Sequence, residues 1–423
     1  MKGVAFVMAL LFMGLPALAD GCCAVSTEAF SALVDPDGTI ILGDVETIFE
    51  VRPNALYAAG VYGEYRLYDA NGNRLSDAAF SMIDDMGDTL VFRQGGLCGA
   101  MDDEGQVIVP AEWTQLVPNG EGGFLALSGD LLDDQPDEVF VLHPGEEALA
   151  TSGETASGLR ALSDGRMPCA GADGMWGCLD ARGRQILPAK WKHVGDFTRG
   201  LALASDENGR GAIDADGNVV IPMRYAWMAR QEVIAALDDS GRLDVYGPDA
   251  ALRFTVEGPV LDAGIVGAYV YARTAEGTYL YSDKGECLYA AGPAARFYPG
   301  EGGQVILADS AWGEACWRLV NADGSIVEAR FQRLVPLCAG RYAFMALPGV
   351  QYRGDEITGT QTSWDYDNLR WGLVDGEGQV LLPAEYSEIR AAGDRLLLFR
   401  EGNILLADRN GVPIATLFTA EPR

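Results

Sequence analysis

The 423-residue chain holds 61 acidic residues against 31 lysines and arginines, which gives a formal net charge of −30 at pH 7. A surface this negative repels phosphate backbones and anionic lipids, and we therefore expect no nucleic-acid partner. Beyond the N-terminus no apolar run approaches the roughly 20 residues of a membrane helix, so we also expect no membrane span.

Residues 1–19 are predicted to be a secretory signal peptide. Lys2 places a positive charge ahead of the apolar run Val4–Leu15, and the small residues Ala17 and Ala19 suit cleavage before Asp20. The apolar run is too short to cross a bilayer. Residues 20–423 are then the mature protein, which we expect to be secreted or placed in the cell envelope.

Cys22 offers an alternative to an unanchored product. A cysteine after a small residue, here Gly21, is the acceptor of a lipid anchor in exported lipoproteins. Leu18 lies one position too far from Cys22 for the usual lipoprotein motif. We therefore predict cleavage to a soluble protein and keep acylation of Cys22 as the alternative.

A four-residue turn motif, Asp-x-x-Gly, recurs along the mature chain with apolar segments on both sides. Asp in such a turn accepts hydrogen bonds from backbone N–H groups two residues on, and Gly tolerates a positive φ. Successive copies are 33 to 40 residues apart, except for one interval of 54, which indicates internal repeats. Seven copies are intact and four have drifted; their first residues are Asp35, Asp69, Asp102, Leu142, Asp180, Asp214, Gly247, Ser282, Asn321, Asp375 and Asp408.

Each repeat is predicted to contain about three antiparallel strands, because a third apolar strand follows the hairpin. No mature segment has a sustained helical period. About eleven units of roughly 34 residues then make an all-β fold, either propeller-like blades or an open curved array. Several second strands are predicted to end at a proline that precedes an aromatic, namely Pro110 with Trp113, Pro188 with Trp191, Pro222 with Tyr225 and Pro383 with Tyr386.

The strand before the turn reads Trp-Gly-x-x-Asp in two repeats, which resemble the WG-repeat family. In the first, Trp176 and Gly177 precede Asp180 and the turn glycine Gly183, and Phe197–Ala202 supplies the last segment of the family pattern. The resemblance covers nearly the whole mature chain, with departures around residues 130–160 and 240–315. It implies an all-β bacterial repeat protein in a family whose members mostly lack an assigned biochemical role. The second full copy consists of Trp371, Gly372, Asp375 and Gly378.

Residues suited to redox or acid–base chemistry are few or scattered. Of eight cysteines, Cys169 and Cys178 flank a tight turn and are candidates for a disulfide across a hairpin, with buried free thiols as the alternative. The two histidines are His143 and His193, and we expect His193 to face solvent. We predict no catalytic residue, cofactor or metal site, because most of the paired acids fall in turns and loops; the pairs include Asp84-Asp85, Asp102-Asp103, Asp133-Asp134 and Asp238-Asp239.

The interval of 54 residues contains an insertion, Pro348–Leu369, which is predicted to be an exposed binding loop. Aromatic rings beside charged groups are typical of surfaces that recognise carbohydrate or peptide. We therefore expect an exported, non-enzymatic binding or scaffolding protein whose partner is a protein or an envelope glycan. The alternatives are a glycoside hydrolase that uses paired carboxylates and a purely structural spacer. The candidate ligand-binding residues of the loop are Tyr352, Arg353, Asp355, Trp364, Asp365 and Tyr366.

Overall fold

The computed structural model describes residues 21–27, 30–128, 137–156, 158–171, 173–309, 316–346, 351–353, 356–358 and 369–419. Within these ranges the chain forms strands and no helix, as the repeat pattern predicts. Accordingly, the described part of the chain has no helix with the length and apolar character of a membrane span. The predicted signal peptide and Asp20 lie outside the described residues.

Eleven sheets of three or four antiparallel strands, which we call blades 1 to 11, follow one another along the chain. The strands are, in blade 1, β1 (Cys23–Ser26), β2 (Ser31–Val34) and β3 (Ile40–Leu42); in blade 2, β4 (Thr47–Arg52), β5 (Leu56–Val61) and β6 (Glu64–Asp69); in blade 3, β7 (Met82–Asp85), β8 (Leu90–Gln94), β9 (Leu97–Met101) and β10 (Val107–Trp113); in blade 4, β11 (Gln115–Pro118), β12 (Phe124–Ser128), β13 (Asp137–Leu142) and β14 (Leu149–Ala156); in blade 5, β15 (Gly158–Leu159), β16 (Met167–Ala170), β17 (Trp176–Leu179) and β18 (Gln185–Trp191); and in blade 6, β19 (His193–Val194), β20 (Leu201–Ser205), β21 (Arg210–Asp214) and β22 (Val219–Tyr225).

The remaining blades continue the same order, and blade 10 holds an additional two-stranded hairpin. Blade 7 contains β23 (Trp227–Arg230), β24 (Ile234–Leu237), β25 (Leu243–Tyr246) and β26 (Leu252–Val256); blade 8, β27 (Asp262–Val266), β28 (Tyr269–Arg273), β29 (Thr278–Tyr281) and β30 (Cys287–Ala291); blade 9, β31 (Arg296–Pro299), β32 (Val305–Asp309) and β33 (Cys316–Val320); blade 10, β34 (Arg333–Cys338), β35 (Arg341–Ala346), the hairpin strands β36 (Gln351–Arg353) and β37 (Glu356–Thr358), β38 (Arg370–Asp375) and β39 (Val380–Tyr386); and blade 11, β40 (Glu388–Ala392), β41 (Arg395–Arg400), β42 (Asn403–Ala407) and β43 (Pro413–Phe418).

Most blades have four strands, one more than the repeat pattern predicts. The Asp-x-x-Gly turn joins the third strand to the fourth, so a repeat counted from turn to turn begins in one blade and ends in the next. In blade 1 the turn joins β2 to β3, because its three strands correspond to the second, third and fourth strands of the other blades. The first strands β15 and β19 have only two residues each, which is too short to recognise as an apolar run. In blades 2 and 9 the fourth strand is reduced to isolated bridges, such as Tyr68 with Arg74 and Val320 with Ile326.

The Asp-x-x-Gly turns have the predicted geometry. In blade 1, Asp35 Oδ1 accepts the backbone N–H groups of Asp37 at 2.9 Å and of Thr39 at 2.7 Å. The turn glycine Gly38 has a φ of 87°, a value that costs a residue with a side chain free energy. The turn is therefore encoded locally, by one carboxylate and one glycine.

The glycine of the Trp-Gly pair makes room for a bulge in the fourth strand. Beside Gly177, Trp176 pairs with Trp191 whereas Cys178 pairs with Leu187, so one residue of β17 stands against three of β18 between these pairs. A Cβ on Gly177 would lie 2.5 Å from the Leu187 carbonyl oxygen. The proline of the repeat lies inside this bulged outer strand, so the prediction that it ends the strand was wrong. A bulge and a proline both hinder the pairing of an edge strand with another chain.

Several turn glycines also pack against the preceding blade. A Cβ on Gly411, in the turn of blade 11, would lie 2.4 Å from Leu382 Cδ1 in the outer strand of blade 10. The same contact joins the two ends of the array, because a Cβ on Gly38 would lie 2.2 Å from the Cβ of Ala415 in blade 11. Blade 1 therefore packs on blade 11 as any blade packs on its predecessor.

The buried core consists of one apolar cluster for each pair of neighbouring blades. Eleven such clusters lie within the described residues. One of them packs Val25 and Ala32 of blade 1 against Leu397 and Leu406 of blade 11. An open array of eleven blades has ten interfaces, so the eleventh cluster closes the ring. The fold is an eleven-bladed propeller, the closed form of the two predicted architectures.

The two flat faces of the ring carry different connections. The turn face carries the connections from first to second strand and from third to fourth, including every Asp-x-x-Gly turn. The loop face carries the connections from second to third strand and from one blade to the next. These assignments follow from the antiparallel order of the strands within each blade.

The predicted pairing of Cys169 with Cys178 is wrong, although the two residues do lie on the two strands of a hairpin. Cys169 pairs with Gly177, and Cys178 pairs with Pro168, so the cysteines are one position out of register. Since side chains alternate across a sheet, the two thiols point to opposite faces of blade 5. They belong to different apolar clusters, Cys169 toward blade 4 and Cys178 toward blade 6.

Candidate functional site

The insertion that the sequence predicts as a binding loop begins as a hairpin on the loop face of blade 10. Tyr352 and Arg353 lie in its first strand, β36, which pairs with β37 through Tyr352 and Ile357. The other four candidates, Asp355, Trp364, Asp365 and Tyr366, lie outside the described residues.

A groove of about 670 Å³ opens on the turn face between blades 9 and 10. Four turns line it, two from each blade, so the groove follows the seam between two neighbouring sheets. Pockets of several hundred cubic ångströms are the size at which proteins hold small molecules or peptide side chains. The lining residues are Glu301, Gly302, Gln304, Asn321, Ala322, Asp323, Ala339, Gly340, Arg341, Gly376 and Glu377.

Gln304 and Tyr342 fix the turns of the two blades to each other. The Nε2 group of Gln304 donates to Asn321 Oδ1 and to the Gly376 carbonyl oxygen, both at 2.8 Å. The hydroxyl of Tyr342 donates to Gln304 Oε1 at 2.9 Å and accepts the Glu301 N–H at 2.7 Å. Tyr342 is fully buried, and burial raises its pKa to about 12. The groove therefore has a rigid, hydrogen-bonded floor.

The groove carries three carboxylates, Glu301, Asp323 and Glu377, and one guanidinium, Arg341. Arg341 donates through Nη2 to Asn410 Oδ1 at 2.9 Å, which connects blade 10 to the turn of blade 11. Its Nε–H is buried and has no acceptor among the described residues. The site thus combines a negative rim with one guanidinium group.

No sequence motif marks this groove, because its charged residues come from turns of two different repeats. The only local signals are irregularities. Asn321 replaces the usual first aspartate of the turn, and the Gly300–Gly303 segment is rich in glycine.

Several of the adjacent acids noted in the sequence serve turns and ion pairs. Asp85 and Asp103 both bind Arg52, which joins blade 2 to blade 3. Asp102 and Asp238 accept backbone N–H groups within their own turns. The pair Asp133-Asp134 lies outside the described residues. His193 is exposed, as predicted, and its ring lies 5.2 Å from that of Trp176.

The residues of the Trp-Gly pattern decide the family. The turn and bulge built by Trp176, Gly177, Asp180 and Gly183 recur in blade 10. A family model described as "WG containing repeat" matches residues 176–209, 211–230 and 371–392. These three segments of the chain are WG repeats. The three WG segments cover the turn, the bulged strand and the start of the next blade.

The structural role of the WG pattern is repeated in the second matched region. Trp371 pairs with Tyr386, and a Cβ on Gly372 would lie 2.7 Å from the Leu382 carbonyl oxygen. The backbone N–H groups of Glu377 and Gln379 donate to Asp375 Oδ1. A Cβ on Gly378 would lie 2.6 Å from Val327 Cγ1 of blade 9.

No curated protein sequence matches this WG-repeat chain at a significant level. Among solved structures, the chain is similar to a eukaryotic initiation factor at 8% identity, covering 94% of this chain and 96% of that chain, with a TM-score of 0.42. It is similar to BamB from Moraxella catarrhalis at 12% identity, covering 70% and 92%, with a TM-score of 0.33. The computationally designed Ika8 protein matches at 12% identity over 64% and 96%, with a TM-score of 0.32.

Proposed function

We propose that this WG-repeat protein is an exported, non-enzymatic binding or scaffolding protein of the cell envelope or extracellular space. The groove between blades 9 and 10 is its proposed binding site, and a basic segment of a partner protein is the proposed occupant. The observation that carries this proposal is a rigid groove of about 670 Å³ with a negative rim.

The charge of the groove favours a positive ligand. Its rim has the three carboxylates Glu301, Asp323 and Glu377 against the single guanidinium of Arg341. The protein as a whole carries −30, so its long-range field attracts cations toward the surface. A lysine or arginine side chain that enters the groove meets carboxylates with both short-range and long-range attraction.

Arg341 favours a peptide over a simple amine. Its guanidinium group lines the groove and carries several N–H donors, which bind carbonyl or carboxylate oxygens. A backbone carbonyl of a bound peptide supplies such an acceptor next to a basic side chain. An amine or a metal ion has no acceptor to offer.

Export is proposed from the N-terminal sequence, and the surroundings of Cys22 favour an unanchored protein. Its carbonyl oxygen accepts the Tyr57 hydroxyl at 2.9 Å. Its thiol donates to the Ala70 carbonyl oxygen at 3.4 Å, in the turn of blade 2. A lipid on Cys22 Sγ would have to displace that contact, which supports cleavage before Asp20.

The proposal is tested by calorimetric titration of residues 20–423 with a hexapeptide of alternating lysine and glycine. We expect saturable binding that weakens at least about tenfold, or 1.4 kcal/mol, in the variant E301Q/D323N/E377Q. A matched control, D37N/E104Q/D216N, removes three exposed acids from other turns of the same face and keeps wild-type binding. Equal weakening in both variants would show that only the net charge matters.

A further inference from the structure

Charge is distributed unevenly around the ring. Blades 5 to 7, residues 158–256, hold 13 acidic and 12 basic residues, whereas the rest of the chain holds 48 acidic and 19 basic residues. Blades 5 to 7 are therefore nearly neutral within a protein of net charge −30. Cations are therefore more frequent in blades 5 to 7 than in the rest of the chain, although they do not outnumber the acids there.

Four of these cations lie together on the loop face of blades 5 and 6, and we call them the cationic patch. Lys190 and Lys192 flank the connection from blade 5 to blade 6, Arg210 begins β21, and Arg224 lies near the end of β22. All four side chains are exposed. Lys190, Lys192 and Arg210 form no ion pair within the described residues, whereas Arg224 pairs with Asp244 at 3.0 Å.

Aromatic rings lie directly beside the cationic patch. Lys190 Nζ lies 4.8 Å from the ring centre of Trp191, and the Arg224 guanidinium lies 5.1 Å from that of Tyr225. Trp176, which packs against His193, is half-buried and leaves part of its ring to solvent. Rings under the cations hold the long side chains in place, which reduces the entropy lost when they bind a ligand.

The titration of His193 reports the local field. Partial burial, and then the guanidinium groups of Arg160 and Arg210, lower the pKa of His193, while Asp196 opposes them. Asp196 is held by Arg160 at 2.7 Å. The connection before Arg210 carries two acids, Asp206 and Glu207, and Asp206 accepts the Asn208 N–H at 2.7 Å within its own turn. Two guanidinium groups therefore act on His193 against one carboxylate.

We propose that the cationic patch binds a glycan that carries carboxylate groups. Unpaired lysine and arginine side chains attract the carboxylates, and the exposed part of Trp176 offers a flat apolar surface to the sugar ring. The negative charge on the other blades does not prevent an anionic glycan from binding, because charges further away than about 8 Å are largely screened at physiological ionic strength. An acidic peptide meets the same cations but has no sugar ring to lie on Trp176.

The test measures binding of residues 20–423 to polygalacturonate at about 150 mM salt, a concentration at which distant charges are screened. We expect saturable binding that weakens about tenfold in K190A/K192A, because two cations leave the site. The variant R182A/R184A removes two exposed arginines from the turn face of the same blade, and we expect its affinity to stay within about twofold of wild type.

Two further polymers separate the contributions of the sugar ring and of the carboxylate charge. Amylose has sugar rings but is neutral, and poly-L-glutamate has carboxylates but no sugar ring. Weak binding to both supports the proposal. Poly-L-glutamate bound as tightly as polygalacturonate would assign the patch to acidic peptides instead. No binding of polygalacturonate, or equal weakening in the two double variants, would overturn the proposal. Circular dichroism and thermal unfolding of each variant confirm that the fold is kept.

Discussion

Blades 6 and 7 are neighbours with the same strand order, yet they use one equivalent position differently. The second residue of the third strand is Gly211 in blade 6 and Asp244 in blade 7. Beside Gly211 the fourth strand is bulged, with three of its residues against one of the third strand between two neighbouring pairs. Beside Asp244 the fourth strand is regular, and Asp244 pairs with Thr255. The glycine of the Trp-Gly pair is therefore needed where the fourth strand is bulged, and a blade without this bulge forms with another residue at that position.

Asp244 replaces the bulge with a hydrogen-bond network that joins the two blades. Its side chain is 1% exposed. Oδ1 accepts hydrogen bonds from the Thr255 hydroxyl at 2.6 Å and from Arg242 Nε at 3.0 Å. Oδ2 accepts the Tyr225 hydroxyl at 2.8 Å and Arg224 Nη2 at 3.0 Å. A buried carboxylate with four donors is fully satisfied. In blade 7, side-chain hydrogen bonds of Asp244 stabilise the contact with blade 6. In blade 6, the equivalent position is a glycine that makes room for a backbone bulge.

Removal of the carboxylate should have the largest effect. We expect D244A to lower the free energy of unfolding by about 3 kcal/mol, because Arg242, Arg224 and Tyr225 lose a shared buried acceptor. Urea unfolding followed by tryptophan fluorescence measures the change. The control D216A, at an exposed turn position, should stay within about 0.5 kcal/mol of wild type. Equal stability of D244A and wild type would mean that the network contributes nothing.

Blade 6 should instead be sensitive at its glycine. A Cβ on Gly211 would lie 2.4 Å from the Ile221 carbonyl oxygen. We expect G211A to lower the free energy of unfolding by about 2 kcal/mol, since the bulge must shift to admit a methyl group. G158A is the matched control, because a Cβ at Gly158 meets no atom within 4 Å. If both variants unfold at the same urea concentration, the bulge is not the reason for the glycine.

Loss of the carboxylate in the Asp-x-x-Gly turn should lower the free energy of unfolding by a smaller amount. Asp214 Oδ1 accepts the N–H groups of Asp216 at 2.9 Å and Asn218 at 2.8 Å. We expect D214A to lower the free energy of unfolding by about 1 kcal/mol. D214N should recover most of that loss, because the asparagine carbonyl accepts the same bonds. A loss in D214N as large as in D214A would show that the charge, and not the acceptor, is needed.

The smallest effect is a difference in acid sensitivity between wild type and D244N. Burial raises the pKa of Asp244, but its hydrogen bonds from Thr255, Tyr225 and Arg242 outweigh burial and leave the pKa lowered. The contribution of Asp244 is therefore present above the unfolded value of about 3.9 and is lost as pH falls through the lower folded value. Thermal unfolding from pH 7 to pH 3 should show a steeper loss in wild type than in D244N. Parallel curves would contradict the lowered pKa.

The candidate sites show where sequence reasoning stops. The loop that contains Tyr352 and Trp364 is visible in the sequence because it interrupts the repeat spacing. The groove between blades 9 and 10 is not, because Glu301 and Glu377 are 76 positions apart and come together only when two blades pack. The cationic patch is hidden in the same way, since Lys192 precedes the first strand of blade 6 and Arg210 begins its third strand.

The sequence by itself determined the turns, the number of repeats and the all-β class. Asp35 and Gly38 fix a turn through bonds and torsion angles within five residues, so the signal is local and survives without knowledge of the fold. The tertiary structure decided the fourth strand, the opposite faces of Cys169 and Cys178, and the closure of the ring. Closure depends on a small rotation at each interface, which the packing of side chains from two blades sets. Closure depends on the sum of these rotations over all interfaces, so the sequence of a single repeat cannot predict it.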